Sequence, residues 1–178
     1  LPAIDSGICR STAWVGIAAL ALSLLAQAGL ERWMGVLTLV PFPVAAIAFV
    51  RFEDRLPTLF DALFAWAAVV NAAGYAWNLY DAVPLNDEAV HLVTTFAVTL
   101  TFGYLTFDRV RHAFREHPLL FLIVITSFGL AAGVLWELFE WTFGFVGPIP
   151  DTMVDLVLDG LGASLAAALC VHARAYNL

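Results

Sequence analysis

Residues Asp151–Gly162 read DTMVDLVLDGLG, and the rest of the chain is interpreted from them. The stretch opens a long apolar segment, yet it carries Asp151, Asp155 and Asp159 at i, i+4 and i+8. On a helix that spacing puts three carboxylates on one stripe, about 6 Å apart per step. By the same rise Asp159 lies about 12 Å into the segment. A helix in water could turn such a stripe outward. A helix in a bilayer must turn it toward protein or a wet cavity.

Composition decides between these environments. Of 178 residues, 62% are hydrophobic and 13% charged, with a mean hydropathy of +0.87. These values describe an all-α polytopic membrane protein. The net charge of −7 excludes a nucleic-acid binder, which needs a basic surface. Cys9 and Cys170 have no metal-ligand spacing and read as inert thiols.

About 20 apolar residues cross a bilayer as a helix, and six runs meet that length. They are Thr12–Leu30, Trp33–Phe52, Thr58–Tyr80, Asp87–Phe107, Pro118–Phe143 and Asp151–Tyr176. The first reads as a retained span, being too long for a signal segment. Pro41 and Pro43 should break or kink the second. Asn86 is a candidate N-cap of the fourth span and Asp151 of the sixth. Short connections make consecutive spans antiparallel neighbours in a single six-helix domain, residues 1–178.

Arginine placement sets the expected orientation. Arg10, Arg51, Arg55, Arg109, Arg111, Arg115 and Arg174 fall on one side, and Arg32 alone on the other. The positive-inside bias then places both termini in the cytoplasm and the protein in the cell's inner (plasma) membrane. The basic stretch DRVRHAFREH, residues 108–117, reads as an inner loop able to meet anionic headgroups. Glu31, Asp81, Asp87, Glu88, Glu137, Glu140, Asp151, Asp155 and Asp159 gather at the outer ends of the spans. Solubility does not require that asymmetry.

Three constellations could carry chemistry. NDEAVHL places Asp87 four residues and Glu88 three residues before His91, on shared helix faces. Such pairs hold metals in helical bundles, or orient an imidazole. WELFEW places Glu137 and Glu140 at i, i+3, and two carboxylates so close in a low dielectric call for a cation between them. Asp155 and Asp159 complete the set. Convergence would give catalytic roles to Asp87, His91, Glu137 and Asp155. A divalent metal ion would have Glu88, His91, Glu137, Glu140, Asp155 and Asp159 as candidate ligands, and oxygen donors with one imidazole suit Mg, Mn, Fe or Zn. Gly129 and Gly133, and Gly162 with Ala166, mark close helix contacts within the bundle or between protomers. Thr95 and Thr99 read as hydrogen-bond partners between helices, and Trp136 and Trp141 as interfacial rings.

At these residues the chain resembles the VanZ-like and YjdF-like integral membrane proteins. Asp87 and His91 match the first VanZ-like element. Glu137 matches the second, with Glu140 where that pattern has Gln. Asp155, Asp159 and Gly162 match the third, with Asp159 where the pattern has Asn. The segments Trp136–Trp141 and Asp151–Leu156 are similar to YjdF-like elements, so the resemblance leans to that side. It covers roughly Asp81 to Ala166. It implies a small helical membrane protein, and VanZ-like members are associated with glycopeptide-antibiotic resistance.

Three functions follow as expectations. The first is a membrane enzyme or lipid-binding protein whose outer acidic pocket acts on a lipid-linked headgroup by metal-assisted or acid–base chemistry. The second is an accessory subunit of a larger membrane-protein complex, the polar cluster fixing helix register. The third, a proton or cation path, ranks last, because the inner halves of the fourth and fifth spans offer only Thr, Ser and aromatic side chains.

Overall fold

A computed structural model describes residues 6–52, 56–114, 117–144 and 148–175. The described residues are helical, with no strand among them. The helices are α1 (Ser6–Gly29), α2 (Trp33–Leu39), α3 (Pro41–Phe52), α4 (Leu59–Trp77), α5 (Leu79–Ala82), α6 (Asn86–Phe114), α7 (Pro118–Phe143) and α8 (Ile149–Ala175). Among the described residues, six stretches are long and apolar enough to cross a membrane, as expected. Large apolar side chains such as Leu22, Leu25, Leu37, Leu135 and Val157 are exposed along them. In water that surface would be an aggregation liability, and in a bilayer it meets lipid.

The chain forms two compact units, Leu1–Val90 and His91–Leu178. In the first, α1 packs on α4 and α3 packs on both. The contact is built from small residues, with Ala13, Ala46, Ala65, Ala72 and Ala76 buried around Leu20, Leu39 and Val50. Small side chains let helix backbones approach, which is how helices associate where apolar burial gives no driving force. Gln27 lies inside this unit and donates to the carbonyl of Ala76 on α4 at 2.6 Å. Near the other end of α1, Arg10 Nη2 donates to the Val50 carbonyl at 2.8 Å, and its Nε lies 3.9 Å from buried Asp61.

Several expected boundaries shift, for local reasons. The second span breaks at Val40, because Pro41 and Pro43 carry no N–H for the helical ladder. The third span stops at Trp77 instead of running to Tyr80. Asn78 is left-handed (φ 55°, ψ 37°), its N–H bonds to Gly74, and α5 starts anew. Asn is among the few non-glycine residues that tolerate this conformation at a helix end. The fourth span begins at Asn86 itself, after Leu85 at φ 61°, so Asn86 is the first helical residue and not the cap. Asp151 is likewise no cap: α8 starts two residues earlier at Ile149, with Pro150 in the first turn, where a missing N–H costs nothing. The basic stretch after Phe107 is helical as far as Phe114, not a loop. Its arginines and Ala113 are good helix formers. Asp5, Glu53, Asp54, Arg55, Arg115 and Glu116 lie outside the described residues, as do the side chains of Asp81, Arg109, Arg111 and Arg174.

The second unit joins α6, α7 and α8. Each close approach uses a residue without a Cβ. A Cβ on Gly129 would collide with Thr99 of α6 and Ala163 of α8. One on Gly133 would collide with the Asp159 carboxylate. One on Gly162 would meet the backbone carbonyl of Leu92. The small-residue motifs are therefore spent inside the unit. Phe102 and Phe128 stack at the α6–α7 contact with ring centroids 3.5 Å apart. Cys9 and Cys170 are buried and form no disulfide.

Candidate functional site

The polar residues of the second unit form layers across three helices. His91, Thr95 and Thr99 follow one another by one turn on α6, and Glu137, Gly133 and Gly129 do so on α7 in the opposite sense. On α8 the matching positions are Asp155, Asp159 and Ala163. The glycines of α7 leave room at the lower two layers, and the acids and imidazole fill the upper two.

Burial here is nearly complete. His91 and Glu137 are each 6% exposed, Asp155 4% and Asp159 1%. Both ring nitrogens of His91 face carboxylates. Its Nδ1 lies 3.3 Å from Asp159 Oδ1, and its Nε2 lies 3.6 Å from Glu137 Oε1. The first separation is at the outer edge of a hydrogen bond, and the second is too long for one. Thr95 Oγ1 donates to the same Asp159 oxygen at 2.5 Å. Asp159 Oδ2 has no hydrogen-bond partner among the described residues and packs against Gly133.

One turn beyond Trp136, Glu140 accepts a hydrogen bond from the indole Nε1 at 3.0 Å. His91, Glu137 and Glu140 each present one ligand atom within 4.8 Å of the others, a separation at which one metal ion could touch all three. Both acids sit near the C-terminal end of α7, whose last turn contains no basic residue. Acids there oppose the helix dipole, so helix stability does not account for them. Gly144, at φ 75°, ends the helix by bonding back to Glu140 and Trp141.

The structure thus brings together His91, Glu137, Glu140, Asp155 and Asp159 from the expected set, the ligand atoms of His91 and Asp155 lying within 4.8 Å of each other. Asp159 meets the ring at Nδ1 and Glu137 meets it at Nε2. Asp155 is buried one turn before Asp159 on α8. Asp87 and Glu88 are half-buried in the first turn of α6, with Asp87 one turn ahead of His91. Asp151 is exposed.

Two participants went unrecognised as such in the sequence. Thr95 read as a generic packing hydroxyl, and Trp136 as an interfacial ring. Both signals were present: Thr95 is four residues after His91, and Trp136 four before Glu140.

No curated protein and no solved structure matches the chain. The family model described as predicted membrane protein (DUF2238) matches residues 8–175. That span takes in every apolar helix and the whole carboxylate–histidine cluster, and the chain belongs to this family of membrane proteins.

Proposed function

We propose that this integral membrane protein holds a divalent cation between His91, Glu137 and Glu140, and uses it at the outer leaflet on a lipid-linked headgroup. The observation that carries the reading is the pair of separations around His91. With Nδ1 beside Asp159 at 3.3 Å, Nε2 faces Glu137 across 3.6 Å. A tetrahedral metal with bonds of about 2.1 Å to nitrogen and 2.0 Å to oxygen spans about 3.3 Å between its ligands. The gap is therefore wide for a hydrogen bond and close to right for an intervening ion.

Charge supports the same reading. Two carboxylates at the wrong end of a helix dipole and beside a buried imidazole need positive charge, and a divalent cation supplies it. One imidazole with carboxylates suits zinc, manganese or iron better than calcium, which takes oxygen donors. A bound cation would polarise a phosphoryl or carbonyl oxygen and offset its charge. His91 and the acids would hold that cation, and Asp87 and Asp155, each within a turn of a cluster residue on its own helix, are the further candidates for proton transfer. Placement at the outer leaflet of the inner membrane rests on the arginine bias, and the YjdF-like resemblance over the same residues agrees with a common site.

The test is metal content of the full chain purified in detergent. About one equivalent of a transition-series cation is expected in the wild type, lost in His91→Ala and Glu137→Ala while helical circular dichroism persists. Lipid that co-purifies with wild type and leaves on chelation would support the headgroup assignment. Wild-type protein that takes up no divalent cation refutes the reading.

A second reading draws on the contact of Asp159 with Gly133 and Thr95, which also serves helix packing. On that reading the cluster fixes register in an accessory subunit of a membrane complex. Retained fold and unchanged partners in His91→Ala would count against it.

A further inference from the structure

We infer that Asp159 is the positioning residue of the cation site: it fixes the ring of His91 from behind and presents Nε2 to the ion. The inference rests on the cation reading and adds a role for a residue that the spacing alone would make a ligand.

The geometry separates the two roles. Asp159 Oδ1 receives the Thr95 hydroxyl and lies 3.3 Å from His91 Nδ1. An ionised Asp159 can only accept, so beside it the ring completes the contact by donating from Nδ1–H. Imidazole that is protonated at Nδ1 carries its lone pair at Nε2. Nε2 is the atom that faces Glu137. The other oxygen, Oδ2, is 99% enclosed with its residue, meets no donor among the described residues, and fills the space that a Cβ on Gly133 would need. This is the carboxylate–histidine–metal arrangement, in which the outer acid sets the tautomer and raises the basicity of the ligating nitrogen.

Gly133 and Thr95 belong to the same device. The glycine makes the room that the carboxylate occupies, and the threonine stops it from rotating. A glutamate at 159 would be one methylene too long for that space.

The experiment titrates Zn²⁺ alone into the full chain in detergent, comparing wild type, Asp159→Asn and Thr95→Val. It also reads the ¹⁵N resonances of His91 in each zinc-free protein. Asp159→Asn is expected to weaken zinc binding about 10- to 100-fold and to mix the two ring tautomers. Thr95→Val, which leaves the acid in place, is expected to give a smaller loss of the same sign. A purely structural role would lower thermal stability with zinc affinity and tautomer unchanged, and that result in both variants overturns the inference. If Asp159→Asn does not fold, Thr95→Val decides alone, and wild-type affinity with a wild-type tautomer overturns it. Wild type that binds no zinc or related ion fails at the earlier step and overturns the cation reading itself.

Discussion

Gly133 has no side chain, and the carboxylate of Asp159 uses the space that results. A methyl group at this position would occupy the volume of Oδ2, and the buried Asp159 side chain would have to give way. Gly133→Ala is expected to lower stability by about 1–3 kcal/mol, the usual cost of overpacking. Thermal unfolding in detergent measures it. The same substitution should weaken cation binding, because a displaced Asp159 no longer holds His91. At this scale the sequence was informative about identity and silent about role. The buried acids announced themselves, since Asp and Glu inside an apolar run are costly. Their division of labour did not, because spacing along α8 says that Asp155 and Asp159 share a face but not which atom each one meets. Thr95 shows the same limit: a hydroxyl one turn from a histidine has many possible acceptors, and only the α6–α8 contact selects Asp159.

Among the elements, helix ends were the least legible. Pro41 and Pro43 foretold the break between α2 and α3, because a missing N–H acts locally. The end of α4 was hidden, because Asn78 looks like a polar residue inside a span, and its left-handed backbone emerges only with α5 in place. Asn78→Gly is expected to be neutral or slightly stabilising, and Asn78→Val to cost about 1–2 kcal/mol, since a β-branched residue is strained at positive φ. Comparing unfolding midpoints of the two variants checks this. The early start of α8 was missed for a related reason: Asp151 is a good cap by type, but Pro148, Ile149 and Pro150 already suit a first turn. Helix α6 outruns its apolar part because helix propensity and membrane burial are separate properties, and only the second ends at Phe107.

For the whole molecule, hydropathy was sufficient to give the all-helical class and six candidate spans. Those properties are summed over about 20 residues and tolerate local error. Orientation depends on seven arginines against one, a bias that also averages over the chain. It predicts a C-terminus in the cytoplasm. A green fluorescent protein fused there should fluoresce, and a periplasm-dependent phosphatase at the same point should stay inactive. The opposite pair of results would turn the carboxylate cluster toward the inside and remove the outer leaflet from the proposed function, leaving the cation site itself untouched.

Four-residue repetition on three adjoining rods carries a hazard of its own. Thr95 and Thr99, Gly129 and Gly133, Asp155 and Asp159 each recur after about one turn, so a shift of α8 by about 5.4 Å would present nearly the same pairs again. Thr99 Oγ1, buried without a hydrogen-bond partner among the described residues, would even gain an acid in the shifted alignment. Gly162 removes the ambiguity. Displaced one way, its berth on the Leu92 carbonyl would have to take Leu158, and displaced the other way Ala166; both carry the carbon that the berth excludes. A single vernier mark thus distinguishes one of several look-alike settings, and the acid that grips the imidazole is selected by a glycine that never touches it.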